Sequence, residues 1–331
     1  MKVLVTGSEG FIGSHVVDLL LKKGYEVASL VQYNSFGNIG WLDDISAREQ
    51  SNLKLVFGDI RDFQIVKTAM SGCDAVIHLA ALIAIPYSYH APMSYIETNV
   101  NGTFNVLQAA RELEIARVIH TSTSEVYGTA IKVPIDENHP IQTQSPYSAS
   151  KSAADMLAFA YFCSFDLPVV TLRPFNVYGP RQSARAVIPS LITQVLSGKK
   201  EIMVGNTTAT REFNFATDTA AAFERALHSE NIEGETINVG NSHEVSILNL
   251  IELISELTGL KFKVNHDPDR IRPEKSEVQR LVSDSSKARK LLHWSPNYGG
   301  EEGFRSGLKE TIDWFSNENN LKKYPELGYN I

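Results

Sequence analysis

The sequence predicts an α/β fold, a doubly wound parallel sheet followed by a smaller α/β substrate domain. Three observations carry this reading. Short apolar runs alternate with longer amphipathic stretches up to Leu172; a glycine-rich turn follows the first run directly; and after Arg173 the alternation gives way to helical segments separated by loops rich in Gly, Pro and charge. Near-continuous apolar strands alternating with helices imply a parallel sheet covered on both faces.

Val3–Val5, Val27–Val31, Leu53–Phe57, Ala75–Ala80, Arg117–His120 and Pro168–Leu172 read as strands. Between them Phe11–Lys22, Asp62–Met70, Met93–Leu113 and Tyr147–Ser164 read as helices, each too long and too periodic for a strand. Further helices are expected at Pro189–Ser197, Thr217–His228, Ile247–Leu257, Ser285–Leu292 and Glu301–Asn317. The organisation expected is a first domain over 1–172 with a return segment near 211–240, and a second over 173–210 and 241–331, without a clean linker.

The chain has 331 residues, 43% of them hydrophobic, and a formal net charge of -7. That is enough for real cores. The acidic balance argues against a nucleic-acid partner, because phosphate backbones want clustered Lys and Arg. No apolar run approaches the ~18 residues of a membrane span. Met1–Gly7 reads as strand and turn rather than a signal peptide. Cys73 and Cys163 are far apart and lack metal-ligand spacing, so no metal is expected. Both read as buried thiols in a reducing cytoplasm.

"VTGSEGFIG" sets Gly7, Gly10 and Gly13 after a strand and into a helix. Glycines let backbone approach a pyrophosphate, whose charge the helix N-terminus then stabilises, so the turn reads as a dinucleotide site. "GDIRD" and "HLAA" end the third and fourth strands, where adenine and its ribose would lie. Asp59 suits either the adenine amino group or the N-cap of the next helix. The acid that normally ends the second strand and binds the ribose 2′-hydroxyl is missing. Gln32 and Asn34 flank Tyr33 there, with neither a carboxylate nor an arginine, so NAD and NADP both remain open.

"SPYSASK" places Tyr147 four residues before Lys151 on one helix face. A neighbouring ammonium stabilises phenolate and lets a tyrosine act as base toward an alcohol. "HTSTSEVYGT" then raises a question, since Glu125 stands after a row of small hydroxyls at the mouth of an apolar sheet.

The combination of the glycine turn, GDIRD, HLAA, "STSEVYG", "YSASK" and "RPFNVYGPRQ" resembles the extended short-chain dehydrogenase/reductases, the NAD-dependent sugar-nucleotide epimerases and dehydratases, over essentially the whole chain. The resemblance implies a Rossmann-type first domain and a nucleotide-sugar domain after it. It implies cofactor contacts from Gly7, Glu9, Gly10, Phe11 and Ile12 in the turn, and from Gln32 and Asn34 after the second strand. Further contacts are implied at Asp59, Ile60, Leu79, Ala80 and Ala81, and at Asn99, Tyr147 and Lys151. Thr123, Tyr147 and Lys151 match the family's hydroxyl, base and lysine.

A 4-epimerase needs no second base, whereas a 4,6-dehydratase does: once C4 is a ketone, a carboxylate can remove the acidified C5 proton as the C6 hydroxyl leaves. Glu125 suits that role. Ser124 stands where many dehydratases carry an aspartate acid, so Glu125 would serve both steps. "IETNVNGT" resembles the corresponding dehydratase segment, and "RPFNVYGPRQSARAVIPSLITQ" followed by "TREFNF" resembles most the N-acetylglucosamine-nucleotide 4,6-dehydratases of nonulosonic (legionaminic) acid pathways. The expected activity is therefore a hydro-lyase acting on UDP- or GDP-N-acetylglucosamine, with tightly bound NAD or NADP recycled in each turnover. UDP-glucuronate decarboxylase and C4 epimerase are the rival enzyme readings, and a cofactor-binding module without catalysis is the non-enzymatic one.

On the substrate side, Tyr87 and Ser88 are expected near the sugar, Arg185 is expected to bind substrate, and His90 is read as structural. Asn176 and Arg211 match family positions that grip the diphosphate. Arg272, in the loop Asp269–Glu277, and Arg280 compete for a further phosphate. Surplus apolar residues on Tyr147–Ser164, Met156 and Phe159 among them, predict a homodimer.

Overall fold

The computed structural model describes residues 1–46, 51–267, 270 and 272–324. Among these, seven strands form one parallel sheet: β1 (Lys2–Thr6), β2 (Glu26–Gln32), β3 (Leu53–Gly58), β4 (Ala75–His78), β5 (Arg117–Thr121), β6 (Val169–Pro174) and a late strand, Thr236–Val239. Their spatial order is late strand, β6, β5, β4, β1, β2, β3. Growth of the sheet reverses between β1 and β4, which opens a crevice beyond their C-terminal ends, where ligands of doubly wound folds bind.

Alternation along the strands explains the two cores. Val3 and Val5 of β1, Ile77 of β4 and Leu172 of β6 face one side with Val16, Leu20 and Phe223. Leu4, Val76, Val118 and Val169 face the other with Val66, Leu107, Ala158 and Tyr161. Helices Phe11–Lys22 and Ala216–Ala226 thus cover one face, and Phe63–Met70, Gly102–Glu112 and Pro146–Phe165 the other. Burying a Val, Leu or Phe side chain contributes ~1.5–3 kcal/mol, so both faces are strongly specified. A third cluster belongs to the second lobe, where Ile192, Leu250, Ile254, Leu308 and Phe315 join helices Val187–Leu196, Ile247–Thr258 and Gly300–Ser316.

The structure departs from the sequence reading in several places. Met93–Leu113 is not one regular helix: Pro92–Tyr95 runs into a π-helical stretch, Ile96–Asn101, and then Gly102–Glu112. The wider turn carries Asn99 inward, 1% exposed; such turns recur at functional sites. β4 ends at His78 rather than Ala80, because the amides of Leu79 and Ala80 turn onto the Thr6 hydroxyl, each at 3.1 Å. Cys163 is exposed rather than buried, since it lies on the outer face of its helix. The late strand Thr236–Val239 and the short pairs Glu201–Val204 with Lys263–His266 and Thr210–Glu212 with Glu244–Ser246 are strands beyond those the apolar runs signal. Among the described residues no helix is long and apolar enough to cross a membrane.

Candidate active site

The glycine turn is built around close approach. Gly7 takes a φ of +64°, and a Cβ there would sit 2.8 Å from Ala80 Cα and N. A Cβ on Gly13 would meet the Gly7 carbonyl at 2.1 Å. Gly10 caps helix Phe11–Lys22 without a side-chain bond, leaving the first amides open for an anion. The cradle therefore fits a dinucleotide pyrophosphate. It is braced from below: the Thr6 hydroxyl accepts from Leu79 and Ala80, so its own proton goes to His78 Nδ1 at 2.8 Å, and His78 Nε2 donates to Thr103 Oγ1 at 3.0 Å. Burial holds His78 neutral, well below the usual histidine range.

Around the turn, Glu9 Oε1 accepts from the Gln32 amide at 2.9 Å. Asn34 folds the following loop: its amide nitrogen donates to Gln32 O and Asn38 O, and its oxygen accepts from Phe36 N and Asn38 N. Asp59 is not an N-cap. Asp62 caps Phe63–Met70 through the amides of Gln64 and Ile65, while Asp59 is held by Arg61 at 2.6 Å and, chiefly through that bond, lies below the usual carboxylate range. Ile60 is buried and packs against Gly102, where a Cβ would meet it at 2.9 Å. Asn99 braces the site: its carboxamide accepts from Leu82 N and donates to Leu82 O and Ser150 Oγ, tying the loop after β4 to the helix that carries Tyr147.

That helix, Pro146–Phe165, begins with a capping box in which the Ser145 and Ser148 side chains bond each other's amides at 3.1 Å. A cap of this kind contributes ~1 kcal/mol and fixes where the helix starts. Tyr147, Lys151 and Asp155 follow at four-residue intervals, on one face, all buried. β5 ends opposite them. Thr123 caps a 3-10 turn, Ser124–Tyr127, its hydroxyl accepting from Glu125 N at 3.3 Å. The turn explains the polar run: it lifts Glu125 to the sheet's mouth, where the residue is 8% exposed, with Arg272 Nη1 at 4.0 Å from Oε2. Ser124 is fully turned inward.

Burial pushes the Tyr147 phenol well above its ordinary value, opposed by a hydrogen bond with Thr123, and the Glu125 charge raises it further. Burial also lowers Lys151 from 10.5 to about 8, against the attraction of Asp155. Behind Lys151 lies a network the sequence reading missed. Asp155 accepts from His120 Nε2 at 3.0 Å, Ser122 Oγ at 2.5 Å and Arg173 Nη2 at 2.8 Å. Burial alone would raise the Asp155 carboxyl, but the His120 bond, the Arg173 charge and Ser122 outweigh it and bring it to about 2. The i, i+4, i+8 spacing of Tyr147, Lys151 and Asp155 was the available signal.

On the substrate side, Tyr87 and Arg185 line a cavity of about 450 Å³ with Ala81, Ile83 and Tyr95. Tyr95 packs edge-on against Tyr147, ring centroids 6.2 Å apart. Ser88 does not face this cavity: it is buried and its Oγ donates to Ile85 O at 2.7 Å. Asn176 donates to the Glu212 carbonyl at 3.2 Å. Arg211 is buried, pairs with Glu277 at 2.9 Å, and lies within electrostatic reach of Glu125 and Arg272. Arg272 and Arg280 now separate. Arg272 joins Glu125, whereas Arg280 is half-exposed and held by both oxygens of Glu244. Asp269 of the same loop lies outside the described residues.

A parallel sheet carrying a glycine cradle at its switch point and a buried Tyr–Lys pair defines an extended short-chain dehydrogenase/reductase. The comparisons narrow this: the chain belongs to the GDP-mannose 4,6-dehydratase family, whose model matches residues 4–307. It is 33% identical over 334 residues to the dTDP-D-glucose 4,6-dehydratase of Homo sapiens, covering 97% of this chain and 93% of that protein. Among solved structures, the dTDP-glucose 4,6-dehydratase of Streptomyces venezuelae, with NAD bound, superposes with a TM-score of 0.87 at 31% identity, covering 98% and 99% of the two chains. The UDP-N-acetylglucosamine 4-epimerase of Methanobrevibacter ruminantium gives 0.84 at 30% identity, covering 95% and 97%. The chain is thus an enzyme of an NAD-dependent nucleotide-sugar dehydratase and epimerase family.

Proposed function

We propose that the protein is a nucleotide-sugar 4,6-dehydratase acting on UDP- or GDP-N-acetylglucosamine, and that it works as a cytoplasmic homodimer. The observation that carries the reaction type is Glu125, a buried carboxylate beside the Tyr147–Thr123 pair. When bound, the nicotinamide supplies hydride acceptance and return. Tyr147 takes the proton of the 4-hydroxyl as C4 becomes a ketone, and Thr123 orients its phenol. Lys151, in its charged form, stabilises the phenolate. Glu125 removes the C5 proton and passes a proton to the departing C6 hydroxyl, so water leaves. With hydride returned to C6 and a proton to C5, the reaction is redox-neutral and the cofactor stays bound.

Arg211 and Arg272 carry positive charge to the mouth of the site, which suits a diphosphate. The cavity under Tyr87, with its apolar wall and Arg185, suits an acetamido group. Exposed Met156, Phe159 and Phe165, with Met93, Ile96 and Phe104 on the neighbouring helix segments, support pairing with a second copy.

The test is incubation of the purified protein with UDP- and GDP-N-acetylglucosamine, dTDP-glucose and UDP-glucuronate in deuterated water. Loss of one water with deuterium at C5 and no accumulation of free NADH is expected for an N-acetylglucosamine nucleotide. Glu125→Gln should lower dehydration ~10²–10⁴-fold, the usual worth of a general base, while Tyr147→Phe abolishes oxidation and exchange together. Dehydration by Glu125→Gln at the wild-type rate removes this glutamate's role. Loss of carbon dioxide from UDP-glucuronate supports the decarboxylase instead.

A further inference from the structure

The second strand ends without the acid that reads the adenosine ribose, yet the structure brings one there from elsewhere. Glu9 lies within the glycine turn, and its Oε1 accepts from Gln32 N, the last residue of β2, at 2.9 Å. The contact spans 23 positions of sequence. Trp41 N donates to the Glu9 carbonyl at 3.1 Å, so the loop after β2 closes over the same residue.

The other candidates at this edge have no such capacity. Every hydrogen-bonding atom of the Asn34 carboxamide is used inside its own loop. Gln32 is exposed, and its carboxamide is neutral. Asp59, at the end of β3, is neutralised by Arg61. Glu9 Oε2, in contrast, is shut from water and has no hydrogen-bond partner among the described residues. An ionised carboxylate with one oxygen unsatisfied away from water is costly, and a hydroxyl donor repairs it. Burial also raises the Glu9 carboxyl above its ordinary range, against the bond from Gln32.

We infer that Glu9 is the residue that reads the ribose 2′ position of the cofactor, accepting the 2′-hydroxyl of NAD and excluding the 2′-phosphate of NADP. A donor on the 2′ carbon completes the carboxylate, whereas a phosphate there sets like charges together in a partly desolvated site. The turn thus serves both parts of the cofactor, its glycines the pyrophosphate and its one acid the ribose. The inference concerns only the cofactor and stands whichever sugar nucleotide is the substrate.

The test is calorimetric binding of NAD, NADP and 2′-deoxy-NAD to cofactor-stripped protein, without turnover. The wild type is expected to prefer NAD over NADP by about 100-fold or more, and to lose at least ~10-fold on 2′-deoxy-NAD. Glu9→Gln retains an oxygen for the Gln32 amide, so the turn persists. It should narrow the NAD-to-NADP ratio by at least ~10-fold, chiefly by gaining NADP. A wild type that binds NAD and 2′-deoxy-NAD equally overturns the inference, and that measurement needs no variant. An unchanged NAD-to-NADP ratio in folded Glu9→Gln overturns it as well.

Discussion

Lys151 is predicted to cost the protein stability in return for catalysis, and the cost can be measured through its pH dependence. Burial lowers its pKa from 10.5 to about 8. Below pH 8 both folded and unfolded chains hold the proton, and the folded chain bears the whole cost of burying an ammonium. Between 8 and 10.5 the unfolded chain still holds a proton that the folded chain has released, so stability rises with pH across that window. Above 10.5 both are neutral and the cost is gone. At ~1.36 kcal/mol per pKa unit, a fall from 10.5 to about 8 costs on the order of 3 kcal/mol.

Lys151→Met keeps the length and apolar stem and removes the charge. Asp155 retains His120, Ser122 and Arg173, so no new buried charge is orphaned. The variant should be more stable than the wild type by about 3 kcal/mol at pH 7 and by clearly less at pH 9.5, and inactive at both. Urea denaturation of the cofactor-free proteins at the two pH values reads the difference directly. A variant no more stable at pH 7, or one whose lead is the same at pH 9.5, refutes the reasoning.

Two further outcomes follow from packing. Gly13→Ala places a Cβ 2.1 Å from the Gly7 carbonyl, so the helix start must shift; a loss of ~1–3 kcal/mol is expected in thermal unfolding, together with weaker NAD binding by calorimetry. Phe159→Asp, on a side chain 57% exposed, should leave the fold intact and convert a dimer to a monomer in light scattering; a wild type that is itself monomeric at micromolar concentration removes the dimer.

What the sequence alone determined is what local rules govern. The inner strands of the main sheet before residue 175 show as apolar runs because both faces are buried, and period two sends Val3 and Val5 to one core and Leu4 to the other. Gly7, Gly10 and Gly13 are legible because a close turn needs them side by side in sequence. Tyr147 and Lys151 are legible because helical spacing alone puts them on one face. What only the tertiary structure decided involves partners brought together by closure of the chain. Glu9 meets Gln32, Asp155 meets His120 and Arg173, and Arg272 rather than Arg280 meets Glu125. Nothing in the spacing of two arginines eight residues apart in one irregular segment says which one turns inward. The exposure of Cys163 went unread for a related reason: helix Pro146–Phe165 is apolar on more than one face, and periodicity cannot say which face the sheet covers.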